Sequence, residues 1–315
     1  SIGIIGIALI LSISNGVNTY IQSVEEDTLS EYPLQIQSTG MNLSSMMAGI
    51  AGSGHHEDGQ VGVTQMLTSL FSQVDSNDLE ALKAYFDSGE SGIDQYTNAI
   101  EYSYDVSPQI YLLDEDSVRQ VHPDHSFAAM GLGSGNSSSS MMSSMMSTNV
   151  FYEMPEDADL YEDQYNVMAG RWPQIYNECV LVLSSSGSIS DFMPYVLGFR
   201  DFSELDDMVE AFVNEENVET PDENDTYAYE DFIGITFKLV NAADYYIYDD
   251  RYNVWTDKTD DEDYMRQLVS SGEDLTIVGV VQPESGTTAA MLSTGICYPA
   301  SLTKHVMEEA AKSQI

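Results

Sequence analysis

Basic side chains are scarce. Ten Lys and Arg stand against 52 Asp and Glu, a formal net charge of -42. That deficit excludes a nucleic-acid partner, because phosphate is repelled by such a surface. Cationic ligands would be attracted and steered toward it. There are only two cysteines, Cys179 and Cys297, with no CxxC pair and no zinc spacing. A cysteine-rich disulfide scaffold and a structural zinc site are therefore excluded. Both cysteines sit in apolar strand-like runs. Two buried thiols are the expectation, and a disulfide stays open because spacing cannot place two sulfurs together.

Charge is missing altogether from Ser1 to Val24. Ile2, Ile4, Ile5, Ile7, Leu9, Ile10, Leu11 and Ile13 make that stretch nearly continuously apolar. Its core reaches about Val17, slightly short of the ~20 residues that span a bilayer. No charged leader region or small-residue cleavage site is visible, which argues against a signal peptide. Residues 1–17 are expected to form the outer part of a transmembrane helix. Gly3, Gly6 and Gly16 would weaken a soluble helix but are common in membrane helices. Loops rich in Lys and Arg stay in the cytoplasm, so the acidic bulk that follows is expected outside the cell. No second apolar run approaches the length of a span.

Roughly 290 residues follow the apolar stretch, enough for one large or two smaller domains. With 20 Tyr, 10 Phe and 16 Met they can bury a core. Leu34 to Gln37 alternates after Pro33 and reads as a strand. Met66, Leu67, Leu70, Phe71 and Val74 fall on one helical face. Asn77 reads as the N-cap of a second helix, with Glu80 in the capping-box position. Strands are expected at 110–113, 180–183, 233–239, 276–281 and 296–298, with Tyr245 to Tyr248 pairing beside 233–239. Helices are expected from Asp191 to Leu197, along 205–213, and along 302–310. Glu215 to Asp231 and Asp249 to Asp263 read as acidic loops. The irregular alternation of elements indicates an α+β, or mixed α/β, domain. Two segments read as flexible loops: 41–62, and 131–149 with its Gly/Ser/Met low complexity.

No catalytic constellation emerges, and no metal or cofactor site is expected. Gly131-Leu132-Gly133-Ser134-Gly135 lacks a preceding apolar strand and the Lys-Ser/Thr ending of a phosphate loop. His55, His56, His122, His125 and His305 are read as exposed histidines rather than ligands. The acids between Asp249 and Asp263 miss the calcium-loop register at Arg251 and Val254. Met141, Met142, Met145 and Met146 could hold soft Cu(I). A flexible methionine surface suits apolar peptide or lipid contact equally well, and a loop with no role of its own is the plainest reading.

Taken in order, several segments resemble a known family. They are Asn15-Gly16-Val17-Asn18-Thr19-Tyr20-Ile21, Asp27 to Leu34, Gly170-Arg171-Trp172-Pro173, Asn177-Glu178-Cys179-Val180-Leu181, Ile233 to Leu239, and Ile277-Val278-Gly279-Val280-Val281. This order resembles the MacB/FtsX-like permeases of ATP-binding-cassette transporters in their Gram-positive form. The resemblance implies an extracellular core domain over 18–315. It implies a membrane-proximal lobe of about 18–175 with 275–315, and an inserted lobe of about 176–274. Gly170, Arg171, Trp172, Pro173, Asn177 and Glu178 carry a structural motif in that reading. It also implies a multi-pass protein of the cell membrane, a cytoplasmic ATPase partner and a second permease copy. The chain itself would be no enzyme. It would couple ATP hydrolysis to movement outside the membrane and export or extract peptides, lipoproteins or lipidic compounds. The alternative role is an FtsX-like regulatory module that activates a cell-wall hydrolase or a sensor without transport.

Overall fold

The computed structural model describes residues 34–36, 39–41, 74–114, 117–126, 148–214, 216–218, 226–287 and 290–313. The apolar opening stretch, the expected helix at 66–73, the Gly131–Gly135 loop and the methionine pairs lie outside the described residues. The chain divides into two compact units, one holding residues 32–100 and one built from residue 101 onward.

In the smaller unit β1 (Thr39–Met41) pairs antiparallel with β2 (Val74–Ser76). Val74, expected to close a helix, opens this strand. Leu34 to Ile36 forms no regular structure, and Leu34 is fully open to solvent. Helix α1 (Leu79–Asp87) begins one residue later than Asn77 predicts. Asp78 is the cap, its side chain accepting from the Ala81 amide at 2.9 Å. The choice is physical: a short side-chain oxygen two or three residues before a free amide caps it, and Asp78 reaches Ala81.

The larger unit is α+β. Its eight-stranded sheet comprises β3 (Gln109–Leu113), β4 (Val118–His122), β5 (Phe151–Met154), β6 (Tyr165–Gly170), β7 (Glu178–Val182), β8 (Thr236–Val240), β11 (Glu273–Pro283) and β12 (Gly295–Pro299). The order is β4-β3-β8-β11-β7-β12-β5, with β6 also on β11. Strand β11 is the organiser. It runs parallel to β7 on one side. On the other, its first half pairs antiparallel with β8 and its second half with β6. Strands from 109–182 and from 236–299 thus share one sheet. The sheet curls until its two end strands meet, with the His122 ring of β4 5.5 Å from the Phe151 ring of β5.

Alternation along the strands divides the core between the faces. Ile110, Phe151, Cys179, Leu181, Phe237, Leu275, Ile277 and Ile296 point to one face. There they meet α2 (Met193–Val196), α3 (Phe202–Val213) and Leu302 of α5 (Ala300–Ala311). Val180, Val182, Val281 and Cys297 point to the other, against Tyr161, Tyr165 and Leu292. Farther along that face, α4 (Glu262–Ser270) lays Met265 and Val269 on Tyr111 and Val240. Burying each such side chain contributes about 1.5–3 kcal/mol. Helix α2 starts after Phe192, with Pro194 in its first turn and no side-chain cap, so Asp191 is not the cap. Proline suits that position because its missing amide has no partner to lose.

One expected pairing fails. Tyr245 to Tyr248 is no neighbour of β8. Tyr245 closes a 3-10 turn, and β9 (Tyr246–Asp249) pairs with β10 (Val254–Asp257) in a separate hairpin. The reason lies in the turn. The Asp249 carboxylate accepts from the amides of Arg251 and Tyr252, and Asn253 takes a positive φ of 54°. That geometry folds the chain straight back on itself, and Val254 to Asp257 wins as the local partner. The segment 249–263, read as an acidic loop, therefore contains β10 and the start of α4.

Candidate functional site

The residues singled out at 170–178 build one joint between β6, β7 and β11. Gly170 ends β6 opposite Gly279 of β11 and has φ 67°. A methyl group on Gly170 would lie 2.1 Å from the Val278 carbonyl oxygen, and one on Gly279 2.0 Å from that of Arg171. The two backbones touch, and only glycine permits it. The Arg171 amide then donates to the Val278 carbonyl at 3.0 Å.

From there the chain leaves the sheet and is clasped on its return. The Arg171 guanidinium donates both Nη groups to Glu178, the first residue of β7, at 2.7 and 2.6 Å. The Gln174 amide donates to the same carboxylate at 2.8 Å. These donors favour the ionised form, and the Arg171 hydrogen bond above all holds the Glu178 carboxyl down to about 2. Trp172 lies half-buried on Tyr161 and Tyr165, with ring centroids 5.3 and 6.2 Å away. Pro173 is also half-buried. Asn177 fastens β7 to the start of β11. Its Nδ2 donates to the Asp274 carbonyl at 2.9 Å, and its own carbonyl accepts from the Thr276 amide at 3.1 Å.

A second cluster adjoins this joint. The Tyr176 hydroxyl donates to Glu273 Oε2 at 2.6 Å, and His305 Nε2 meets Glu273 Oε1 at 2.8 Å. The Tyr176 and His305 rings stack with centroids 4.0 Å apart. Burial alone would raise the Glu273 carboxyl, but the bonds from Tyr176 and His305 outweigh it and hold the group below its ordinary value. The cluster pins α5 to the first residue of β11. Beside it opens a cleft of about 370 Å³ that Asn241, Asp244, Ser271 and Glu309 help to line. Nothing in sequence spacing joins positions 176, 273 and 305. They meet because β7 and β11 start side by side and α5 crosses that end.

Chemically these are fastenings. Among the described residues no group of three or more His, Cys, Asp or Glu could hold a metal ion. The histidines are not uniformly exposed. His125 is, but His122 is buried in β4 and His305 is half-buried on α5. Burial pushes the His122 imidazole down to about 4, despite a side-chain hydrogen bond to Asn149 and the nearby Asp124. Cys179 and Cys297 are free, buried thiols on opposite faces of the sheet. Burial raises both, which keeps them protonated and inert.

No family model, curated protein or solved structure matches this chain. Among the described residues no helix is long and apolar enough to cross a membrane.

Proposed function

We propose that this chain is the extracellular part of an ATP-binding-cassette permease of the MacB/FtsX-like kind. In this reading residues 1–17 belong to a membrane helix. A cytoplasmic ATPase supplies the energy, a second permease copy completes the assembly, and the domain passes motion to a peptide, lipoprotein or lipidic cargo outside. The observation that carries it is the distribution of charge. All 62 charged side chains follow an uncharged stretch of 24 residues whose apolar core runs to about Val17, and acids outnumber bases 52 to 10 among them. Lipid accepts the first part, and the scarcity of Lys and Arg suits the outer side for the second. The joint at 170–178 and the Tyr176–Glu273–His305 cluster support the reading, since a body that passes on motion must not yield internally. The exposed aromatic residues of the β9–β10 hairpin favour the second reading, a regulatory module that contacts another protein without moving cargo.

The test is labelling of intact cells with a membrane-impermeant maleimide. Ser285→Cys places a thiol at an exposed position, while the two native thiols are buried. Labelling before lysis, in the membrane fraction, is the expected result. Labelling only after lysis overturns the orientation and the permease reading with it.

A further inference from the structure

The β9–β10 hairpin stands apart from the large sheet, and among the described residues each of its strands has a partner on one side only. Its pairs place Tyr248 across from Trp255 and Tyr246 across from Asp257, on one face. The Tyr248 and Trp255 rings are 5.0 Å apart. Ile247 and Val254 occupy the opposite face. All of these apolar residues are exposed, from 37% for Tyr246 to 47% for Val254, and Tyr252 at the turn reaches 66%. An isolated two-stranded hairpin is marginal in water, and contiguous exposed apolar surface marks a site of contact.

Charge selects the occupant. Asp249 and Asp257 close the two strands, across from Val254 and Tyr246, and Asp250 and Asp260 follow them within three residues in the chain. Lys258 is engaged by Asp261 at 3.0 Å, and the Arg251 guanidinium lies over Tyr252. Asp257 is kept ionised by the Thr259 amide and hydroxyl. A second copy of this chain would bring the same carboxylates to the same edge, and like charges across a strand pair repel. Anionic lipid headgroups are disfavoured for the same reason.

We infer that the β9–β10 hairpin binds a basic polypeptide segment of a partner protein, added as a further strand, with apolar side chains on Tyr248 and Trp255 and Lys or Arg against the flanking aspartates. Backbone hydrogen bonds along the free edge supply affinity, and alternate side chains supply selection. The inference does not depend on the permease reading, since it holds on either side of a membrane.

Trp255 is its own reporter once Trp172, the other tryptophan, is replaced. In Trp172→Phe protein, a synthetic peptide of alternating Lys and Val should shift the Trp255 emission to the blue in a saturable way. It should also slow amide exchange along 246–257. Its Glu–Val counterpart should do neither. Asp250→Asn with Asp260→Asn should weaken binding about tenfold, on the scale of close charge pairs across interfaces. Tyr248→Ser should weaken it as well, with circular dichroism confirming the fold of each variant. Equal response to both peptides, or to neither, overturns the inference. So does a blue shift produced by raising the protein concentration alone, which would mean self-association. A shift on phosphatidylcholine vesicles without peptide, which would mean lipid, overturns it too.

Discussion

Two ionisable side chains both make the fold less stable on acidification, one through its charged form and one through its neutral form. Glu178 is held near 2 by Arg171, below the ordinary glutamate value of about 4.3. Its contribution is therefore complete above the unfolded value and is lost as pH falls through the folded one. The Arg171 side chain is 45% exposed, although that of Glu178 is only 13% exposed. Solvent screening of such a pair reduces the effect to on the order of 1 kcal/mol at neutral pH. Glu178→Gln should lose that amount in denaturant melts at pH 7, and the gap from wild type should close between about pH 4 and pH 2. His122 runs differently. It stays neutral in the fold down to about 4, whereas the unfolded chain takes up the proton near 6.5. In that window the unfolded state binds more protons, so stability drops on acidification. The loss is on the order of 3 kcal/mol once pH passes below about 4. His122→Leu should flatten this slope in melts between pH 7 and pH 4. An unchanged slope would show that other groups carry it.

At the scale of elements, the joint between β6 and β7 rests on Trp172 as much as on charge. The indole bridges the 171–177 connection to Tyr161 and Tyr165. Being half-buried, it should cost about 2–3 kcal/mol as Trp172→Ala, below the range for a fully buried ring. Thermal melting within a degree of wild type would contradict its packing role. The strands around 110, 180, 237, 278 and 297 are legible in the sequence because both of their faces, or strictly alternate positions, are apolar. Strands β4 and β5 are not. Each is short and lies at an end of the sheet, and Arg119 and Gln120 interrupt the first while Glu153 interrupts the second. β6 carries exposed Asn166 and Val167 and relies on β11 for its pairing. The Gly170–Gly279 contact explains why glycines stand at those two positions. The Tyr176–Glu273–His305 cluster is illegible, because no local pattern reports a meeting of residues 97 positions apart. The partner of strand β9 is hidden for a related reason. Hydrophobic alternation reveals that a strand exists, while turn geometry decides what it pairs with.

For the whole molecule, the curl of the sheet governs what can be removed. His122 and Phe151 flank the 131–147 segment in the chain, and their rings are 5.5 Å apart. A short link can span ends that lie so close. Deleting residues 131–147 should leave folding and the melting temperature essentially unchanged, as read by circular dichroism. Loss of soluble expression would show that this low-complexity stretch does more than connect.

Strand β12 lies between β7 and β5 and passes directly into α5 at Pro299. A tug delivered through α5 along the strand would load its lateral bonds in shear, because ladder bonds in an antiparallel pair lie across the strand direction. They would then have to rupture together rather than unzip in turn. An edge strand pulled the same way would be held by one ladder rather than the two that hold β12, so the helix is attached where the sheet resists tearing more strongly.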